Sequence, residues 1–124
     1  MKKQILVVED EQDLRESVAE ILRMEGYDVE TAANGEVALQ KLDDGVDPAL
    51  ILLDLMMPVM DGWEFRETQL DATDYADVPV VLFTSSKDVE ESREQLRPAA
   101  VLRKPVGIDK LIKAVTEHSR TGDD

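Results

Sequence analysis

Two hydrophobic patterns alternate along this chain. Four short aliphatic runs are bounded by turn-forming or polar residues, which is typical of strands that are buried on both faces of a sheet. These runs lie at residues 5–8, 49–53, 79–83 and 99–102. A further short strand is indicated by the alternating positions of Tyr27, Val29 and Thr31. The sequence therefore predicts five strands.

Apolar residues recur at helical spacing in the segments between the strands. The third and fourth of the predicted helices carry few large apolar residues, so we expect their local stability to be lower. The five helices are one around Leu14–Leu22 that ends near Gly26, one around Val37–Leu42 that ends near Gly45, one at Trp63–Leu70, one at Lys87–Leu96, and one whose apolar stripe is Ile108, Leu111, Ile112 and Val115.

The alternation of strands with helices predicts a parallel sheet covered by helices on both faces, because parallel strands need long crossover connections. Five such units in 124 residues suit one α/β domain, a doubly wound three-layer sandwich, and leave too little chain for a second domain. We assign residues 1–120 to this domain and residues 121–124 to a short solvated tail.

The amino-acid composition argues against several classes of function. The 28 acidic and 14 basic residues leave a formal charge of −14, which argues against binding to nucleic acid, because that requires clustered Lys and Arg. No apolar run approaches the roughly 20 residues of a membrane span, and the start, Met1-Lys2-Lys3, is too short for a signal peptide. With no cysteine there is no disulfide framework or thiolate metal site. We expect a cytoplasmic protein that binds neither nucleic acid nor membrane.

Polar side chains follow four of the aliphatic runs at the point where each predicted strand ends. The carboxyl ends of parallel strands meet at one edge of the sheet, where open α/β folds bind their ligands. We therefore expect these groups to converge. They are Glu9 and Asp10, Asp54, Thr84 and Ser85, and Lys104 in the segment Arg103-Lys104-Pro105.

The predicted edge has the groups that an aspartyl phosphate requires. Three carboxylates in one pocket repel each other unless a cation arrives, and a set of oxygen ligands favours a hard cation such as Mg²⁺. Lys104 supplies a positive charge opposite them and Thr84 a hydroxyl donor. A nucleophilic carboxylate with this surrounding charge neutralisation is suited to phosphoryl transfer.

Over residues 3–119 the chain resembles the receiver domains of two-component response regulators, including chemotaxis receivers that consist of the receiver alone. The resemblance is specific because several motifs occur in order and at receiver spacing. It implies a flavodoxin-like sheet with strand order 2-1-3-4-5 and five helices. The motifs are Glu9-Asp10, Leu52-Leu53-Asp54-Leu55-Met56-Met57-Pro58, Met60-Asp61-Gly62, Thr84-Ser85 and Lys104-Pro105.

The resemblance implies a phosphorylation-dependent signalling switch rather than an enzyme acting on other substrates. Asp54 resembles the phosphoacceptor that attacks the phosphohistidine of a sensor histidine kinase or a histidine phosphotransfer protein. Asp10, Asp54 and the backbone carbonyl of Met56 resemble ligands of Mg²⁺, with Glu9 acting directly or through a water. The switch would catalyse only the phosphorylation and dephosphorylation of its own aspartate.

The remaining motif residues resemble groups that respond to the phosphoryl group. Lys104 would pair with Asp54 and then with its phosphoryl group, and Thr84 would bind a phosphoryl oxygen. The Lys104-Pro105 bond would be cis, a geometry that is rare except before proline. Val101 departs from the family pattern, because an aromatic residue that changes position with the threonine is usual there. A downstream partner would bind the face formed by the fourth helix, fifth strand and fifth helix. The sequence does not show how phosphorylation of Asp54 would change that face without the aromatic residue.

Other functional classes fit less well. An aspartate-nucleophile phosphohydrolase places two aspartates two positions apart after the first strand, whereas Glu9 and Asp10 are adjacent here. A receiver-like module that works without phosphorylation usually lacks an acid, the threonine or the lysine, and all are present. A flavin or nucleotide binder needs a glycine-rich loop after a strand, and there is none. The chain could be a stand-alone receiver or a piece of a larger regulator.

Overall fold

Five strands and five helices alternate in the computed structural model, which describes residues 3–85 and 89–120, with residues 89–92 described as backbone. The described elements confirm the predicted alternation. They are β1 (Gln4–Val8), α1 (Gln12–Met24), β2 (Asp28–Ala32), α2 (Gly35–Asp43), β3 (Leu50–Leu53), α3 (Gly62–Asp71), β4 (Val80–Thr84), α4 (Val89–Leu96), β5 (Ala100–Arg103) and α5 (Ile108–His118).

All neighbouring strands are parallel and the sheet order is β2-β1-β3-β4-β5. The predicted doubly wound order is therefore confirmed. Val8 lies beside Leu53, Leu53 lies beside Leu82, and Thr84 lies beside Arg103. This register brings the carboxyl ends of β1, β3, β4 and β5 to the same edge of the sheet.

The hydrophobic core has two halves, one on each face of the sheet. Successive strand residues point to opposite faces, so Ile5 and Val7 pack with α1 and α5 while Leu6 and Val8 pack with α2, α3 and α4. Every residue of β3 and β4 is buried. Burial on both faces explains why these strands are almost purely aliphatic in sequence.

The helix ends follow from local chemistry. Gly26 and Gly45, just after α1 and α2, have φ angles of +97° and +110°, a left-handed conformation that favours glycine. Asn34 Oδ1 accepts a hydrogen bond from the Val37 amide at 2.9 Å and caps α2. Asp61 caps α3 in the same way.

Three predictions either lie outside the described residues or need correction. The predicted start of the fourth helix at Lys87 and the tail at 121–124 fall on residues that are not described. The apolar stripe predicted for α5 includes Ile108, but this residue is 56% exposed. It lies in the first turn of α5 and lines a surface groove with β5 and the preceding loop. The buried stripe of α5 begins instead at Leu111.

The buried face of α3 is partly polar. Phe65 is buried there, and so are Arg66 and Gln69.

Within the part of the chain that is described, no helix is long and apolar enough to cross a membrane.

Candidate functional site

The carboxyl ends of β1 and β3 bring three acidic side chains together. The Glu9 amide donates to the Ala32 carbonyl and the Asp54 amide to the Val8 carbonyl, each at 3.0 Å, so both residues extend the hydrogen-bonding pattern of the sheet. One carboxylate oxygen from each of Glu9, Asp10 and Asp54 lies within 4.8 Å of the others. The cluster predicted from the strand ends therefore forms.

Lys104 enters this cluster from the end of β5. Its backbone amide donates to the Thr84 carbonyl at 3.0 Å, and the Lys104–Pro105 peptide bond is cis. The ammonium lies 2.5 Å from Glu9 Oε1 and 3.4 Å from Asp54 Oδ2. It also lies 5.0 Å from the centre of the Phe83 ring, a distance at which the ring face attracts a cation. The ammonium is thus held between two carboxylates and an aromatic ring.

Glu9 is fixed on both sides by further hydrogen bonds. Its Oε2 accepts from the Glu11 amide at 3.0 Å. Arg15 Nη1 donates to the backbone carbonyls of Glu9 at 2.9 Å and Asp10 at 3.3 Å. The sequence reasoning missed Arg15, although a cation in the first turns of the helix that follows Glu9-Asp10 was a usable signal. Arg15 holds the backbone of the two acids without neutralising their carboxylates directly.

Burial has the largest effect on the pKa values of the Glu9 and Asp54 carboxylates. Glu9 is 1% and Asp54 4% exposed. Burial raises the pKa of Glu9, opposed by its hydrogen bonds to Lys104 and Glu11. Burial also raises the pKa of Asp54, opposed chiefly by the charge of Lys104 and increased by that of Asp10. These carboxylates therefore ionise at a cost in folding free energy.

The pKa of Lys104 shifts in the direction that keeps it charged. Burial alone would lower the pKa of the ammonium, but the hydrogen bond to Glu9 and the charges of Asp54 and Glu9 outweigh it and raise the pKa. Lys104 is consequently cationic at neutral pH, opposite the carboxylates of Glu9, Asp10 and Asp54. Among the described residues, one ammonium therefore faces three carboxylates.

The donor set fits a hard divalent cation. Carboxylate oxygens are the ligands that Mg²⁺ uses in proteins, together with waters and phosphate oxygens. Asp10 is exposed while Glu9 and Asp54 are buried, so the cluster opens to solvent on the Asp10 side. The Met56 side chain is 62% exposed, and its amide lies 3.4 Å from Asp54 Oδ1. That the Met56 carbonyl is a ligand stays a prediction.

Thr84 and Val101 lie on the neighbouring strands β4 and β5. Thr84 is the last residue of β4 and is fully buried, and its carbonyl accepts the Lys104 amide. Val101 is half-buried on β5 beside Leu82 and packs on the face covered by α2, α3 and α4. Val101 thus places a small, half-buried aliphatic side chain on that face.

The loop from β3 to α3 packs tightly beneath Asp54. The Gly62 amide donates to the Leu55 carbonyl at 2.9 Å, and a Cβ atom on Gly62 would lie 2.4 Å from the Asp54 carbonyl oxygen. Only glycine allows this approach without displacing backbone. Val59, in the same loop, has a φ of +69°, an unusual conformation for a β-branched residue. The start of α3 thus lies directly against the backbone of Asp54.

Comparison with known protein families agrees with this geometry. A family model described as the response regulator receiver domain matches residues 5–116. The chain is 33% identical over 129 aligned positions to the response regulator MprA of Mycobacterium ulcerans, covering 100% of this chain and 54% of MprA. It is 42% identical over 81 residues to a CpxR homolog, a transcriptional regulatory protein of Haemophilus influenzae, covering 65% of this chain and 34% of that protein. The chain thus spans about a third to a half of these relatives.

Solved structures with the same fold cover nearly the whole chain. The chemotaxis protein CheY4 of Vibrio cholerae superimposes with a TM-score of 0.87 at 29% identity, covering 95% of this chain and 99% of CheY4. The response regulator TrrA of Thermotoga maritima, solved in complex with Mg²⁺-BeF, superimposes with a TM-score of 0.82 at 32% identity, covering 93% of this chain and 97% of TrrA.

Proposed function

Because this chain belongs to the family of response regulator receiver domains, we propose that Asp54 accepts a phosphoryl group in two-component signalling. The donor would be the phosphohistidine of a sensor histidine kinase or a histidine phosphotransfer protein. The observation that carries the proposal is the position of Asp54, which is 4% exposed, 3.4 Å from the Lys104 ammonium and clustered with Glu9 and Asp10.

The side chains of the site have complementary parts in the transfer. A carboxylate oxygen of Asp54 forms the new bond to phosphorus as the bond from phosphorus to the donor nitrogen breaks. Both reacting groups are anionic, so positive charge must offset their repulsion. The Lys104 ammonium supplies part of it, and the buried Thr84 hydroxyl would donate to a phosphoryl oxygen.

Asp10, Asp54 and the Met56 carbonyl would hold a Mg²⁺ ion, with Glu9 acting directly or through a water. When bound, Mg²⁺ would neutralise the charge of the phosphoryl oxygens. The excess of carboxylates over ammonium groups among the described residues of the cluster supports this assignment. So does the relative TrrA, whose structure contains Mg²⁺-BeF.

The output of the switch would be a change in the face formed by α4, β5 and α5, where a downstream protein partner would bind. The groove beside Ile108 lies on this face. The cytoplasmic location expected from the sequence is part of the same proposal, since the donor kinase and the partner would meet the chain there.

The experiment is chemical phosphorylation followed by site mapping. The protein is incubated with acetyl phosphate and Mg²⁺, with an EDTA control, and its intact mass is measured. Borohydride reduction then converts an aspartyl phosphate to homoserine, which marks the residue in the tryptic peptide Leu42–Arg66. We expect one phosphoryl group on Asp54, incorporated only with Mg²⁺.

Two variants make this assignment specific. Asp54→Asn should take up no phosphoryl group. Asp44→Asn removes the same charge from the same tryptic peptide at an exposed position after α2, and should be phosphorylated like the wild type. Incorporation into Asp54→Asn at the wild-type level would disprove the assignment. No incorporation into the wild type would favour a receiver-like module that works without phosphorylation, and multiple turnover of a phosphate ester would favour a phosphohydrolase.

A further inference from the structure

A buried guanidinium joins α3 to the end of α4. Arg66 is 5% exposed. Its Nε donates to the Leu96 carbonyl at 2.9 Å, its Nη2 to the Arg97 carbonyl at 3.2 Å and its Nη1 to Gln69 Oε1 at 2.7 Å. All three acceptors are neutral oxygens, and burial lowers the pKa of Arg66 to about 10. The group therefore remains cationic at neutral pH despite the cost of burial.

The contact is a helix cap supplied by another helix. Leu96 is the last residue of α4, and the last carbonyls of a helix lack partners within it and carry its negative dipole end. Arg97 has a φ of +46°, the left-handed conformation that commonly ends a helix. The Arg66 cation satisfies both the hydrogen-bonding and the electrostatic requirement of this helix end.

The cap contributes to holding the described part of the fourth helix, which is short. This part, Val89–Leu96, is 8 residues long, and a helix of that length is marginal without tertiary contacts. Among its described side chains, at 93–96, Leu96 is buried and the other three are exposed. Arg66, through its hydrogen bonds, and Leu96, through burial in the core, both attach the C-terminal turn of α4 to the rest of the domain.

Helix α3 begins in contact with the backbone of Asp54, the proposed phosphoacceptor. Gly62, its first residue, donates to the Leu55 carbonyl and leaves no room for a Cβ atom beside the Asp54 carbonyl. Gly62 and Arg66 are four residues apart and so lie on one side of the helix. Gln69, one turn further, donates to the Tyr75 and Val78 carbonyls at 3.0 Å each, just before β4. Helix α3 therefore connects the backbone of Asp54 with the end of α4.

We infer that Arg66 is a positioning residue that makes the C-terminal turn of α4 respond to the state of Asp54 through α3. The inference rests on the proposed phosphorylation of Asp54. It supplies a connection from the site to α4 in a chain that has Val101 in place of the usual aromatic residue. A shift of the Asp54 backbone is transmitted to Gly62 by direct contact, and from Arg66 to the carbonyls of Leu96 and Arg97.

The test is hydrogen exchange of the backbone amides at residues 89–97, measured by mass spectrometry. The full chain is compared without ligand and with saturating Mg²⁺ and beryllofluoride, an analogue of the phosphoryl group. In the wild type we expect the ligand to change exchange at 89–97. In Arg66→Met, which keeps the side-chain length but cannot donate, exchange without ligand should be at least tenfold faster and the ligand should no longer change it.

Two further variants separate coupling from stability. Arg66→Lys retains the cation and part of the cap, so it should restore part of the ligand response; it also serves as the deciding variant if Arg66→Met does not fold. Lys41→Met removes a different cation–carbonyl bond, from Lys41 Nζ to the Thr31 carbonyl between α2 and β2. It should lower stability but leave the ligand response at 89–97 intact.

Phosphoryl incorporation on Asp54, measured on the same samples by intact mass, should stay within twofold of wild type in both Arg66 variants. A full ligand response in either Arg66→Met or, if that variant is unfolded, Arg66→Lys would overturn the coupling. So would a wild type that takes up the phosphoryl group without any change at 89–97, although the proposed function would then stand. If the wild type neither takes up a phosphoryl group nor binds beryllofluoride, both the coupling and the proposed function are contradicted.

Discussion

The ammonium of Lys104 lies closer to Glu9 than to Asp54: Nζ is 2.5 Å from Glu9 Oε1 and 3.4 Å from Asp54 Oδ2. Glu9 is the more buried of the two acids and its other oxygen accepts the Glu11 amide. In this arrangement Lys104 chiefly compensates the charge of Glu9, and Asp54 shares that cation while facing Asp10. Asp54 is thus the less neutralised of the two buried carboxylates.

Removing the ammonium should destabilise the metal-free protein strongly. In Lys104→Met two buried carboxylates lose their cation, and breaking such a pair from one side costs about 3 kcal/mol. The measurement is urea unfolding in EDTA at neutral pH. Lys113→Met is the matched control, because Lys113 is 74% exposed and forms only a surface pair with Glu117; it should change stability by less than about 0.5 kcal/mol. Equal effects of the two substitutions would mean that Lys104 acts as a surface lysine.

Neutralising Asp54 should maintain or increase the stability of the metal-free protein. Burial and the charge of Asp10 raise the pKa of Asp54, so its ionised form opposes folding at neutral pH. We expect Asp54→Asn to be as stable as wild type in EDTA or more stable by about 1 kcal/mol. Mg²⁺ should stabilise wild type, as any ligand of the folded state does, and stabilise Asp54→Asn less. Thermal melts of both proteins with EDTA and with Mg²⁺ test this, with Asp44→Asn as a control that responds like wild type. A loss of stability in EDTA together with equal Mg²⁺ shifts would make Asp54 a structural acid.

The raised pKa values of Glu9 and Asp54 predict a pH dependence with a defined sign. Between the ordinary carboxyl pKa of about 4 and the raised values in the folded protein, the folded state binds more protons than the unfolded state. Stability of the metal-free protein should therefore fall as pH rises through that window. The contribution of Asp54 is isolated by the difference in unfolding free energy between wild type and Asp54→Asn, measured across pH 4 to 8 in EDTA, a range set by those carboxyl values. A difference that does not change with pH would contradict the assigned shift.

A methyl group on Gly62 should disturb the site from its backbone side. The Cβ atom of Gly62→Ala would lie 2.4 Å from the Asp54 carbonyl oxygen and 2.8 Å from Leu55 Cα. Such overpacking costs about 1–3 kcal/mol, which exceeds the gain of up to about 1 kcal/mol from replacing a helical glycine with alanine. Urea unfolding should show a net loss of stability. Gly107→Ala, where a Cβ atom meets nothing within 4 Å, should be close to neutral, and a similar small effect at Gly62 would show that the β3–α3 loop yields easily.

The sequence predicted the sheet and the acidic edge because both follow from local patterns. A strand that is buried on both faces must be aliphatic along its length, so Leu50–Leu53 and Val80–Phe83 are recognisable without any tertiary information. Once the strands are parallel, the residues that follow them share one edge. Glu9, Asp10, Asp54 and Lys104 converge there for that reason.

The exposure of Ile108 and the partners of Lys104 and Arg66 were decided only by the tertiary structure. Ile108 has helical spacing with Leu111, but nothing in that spacing shows that the first turn of α5 lies over a groove rather than the sheet. Arg66 has the character of a surface residue in sequence, and its partner Leu96 is 30 positions away. The periodicity of apolar residues indicates which side chains are buried. The hydrogen-bond partner of a buried polar group depends instead on the positions of backbone atoms that are distant in sequence. A cation can be buried here only because the end of α4 presents carbonyls that have no partner in their own helix.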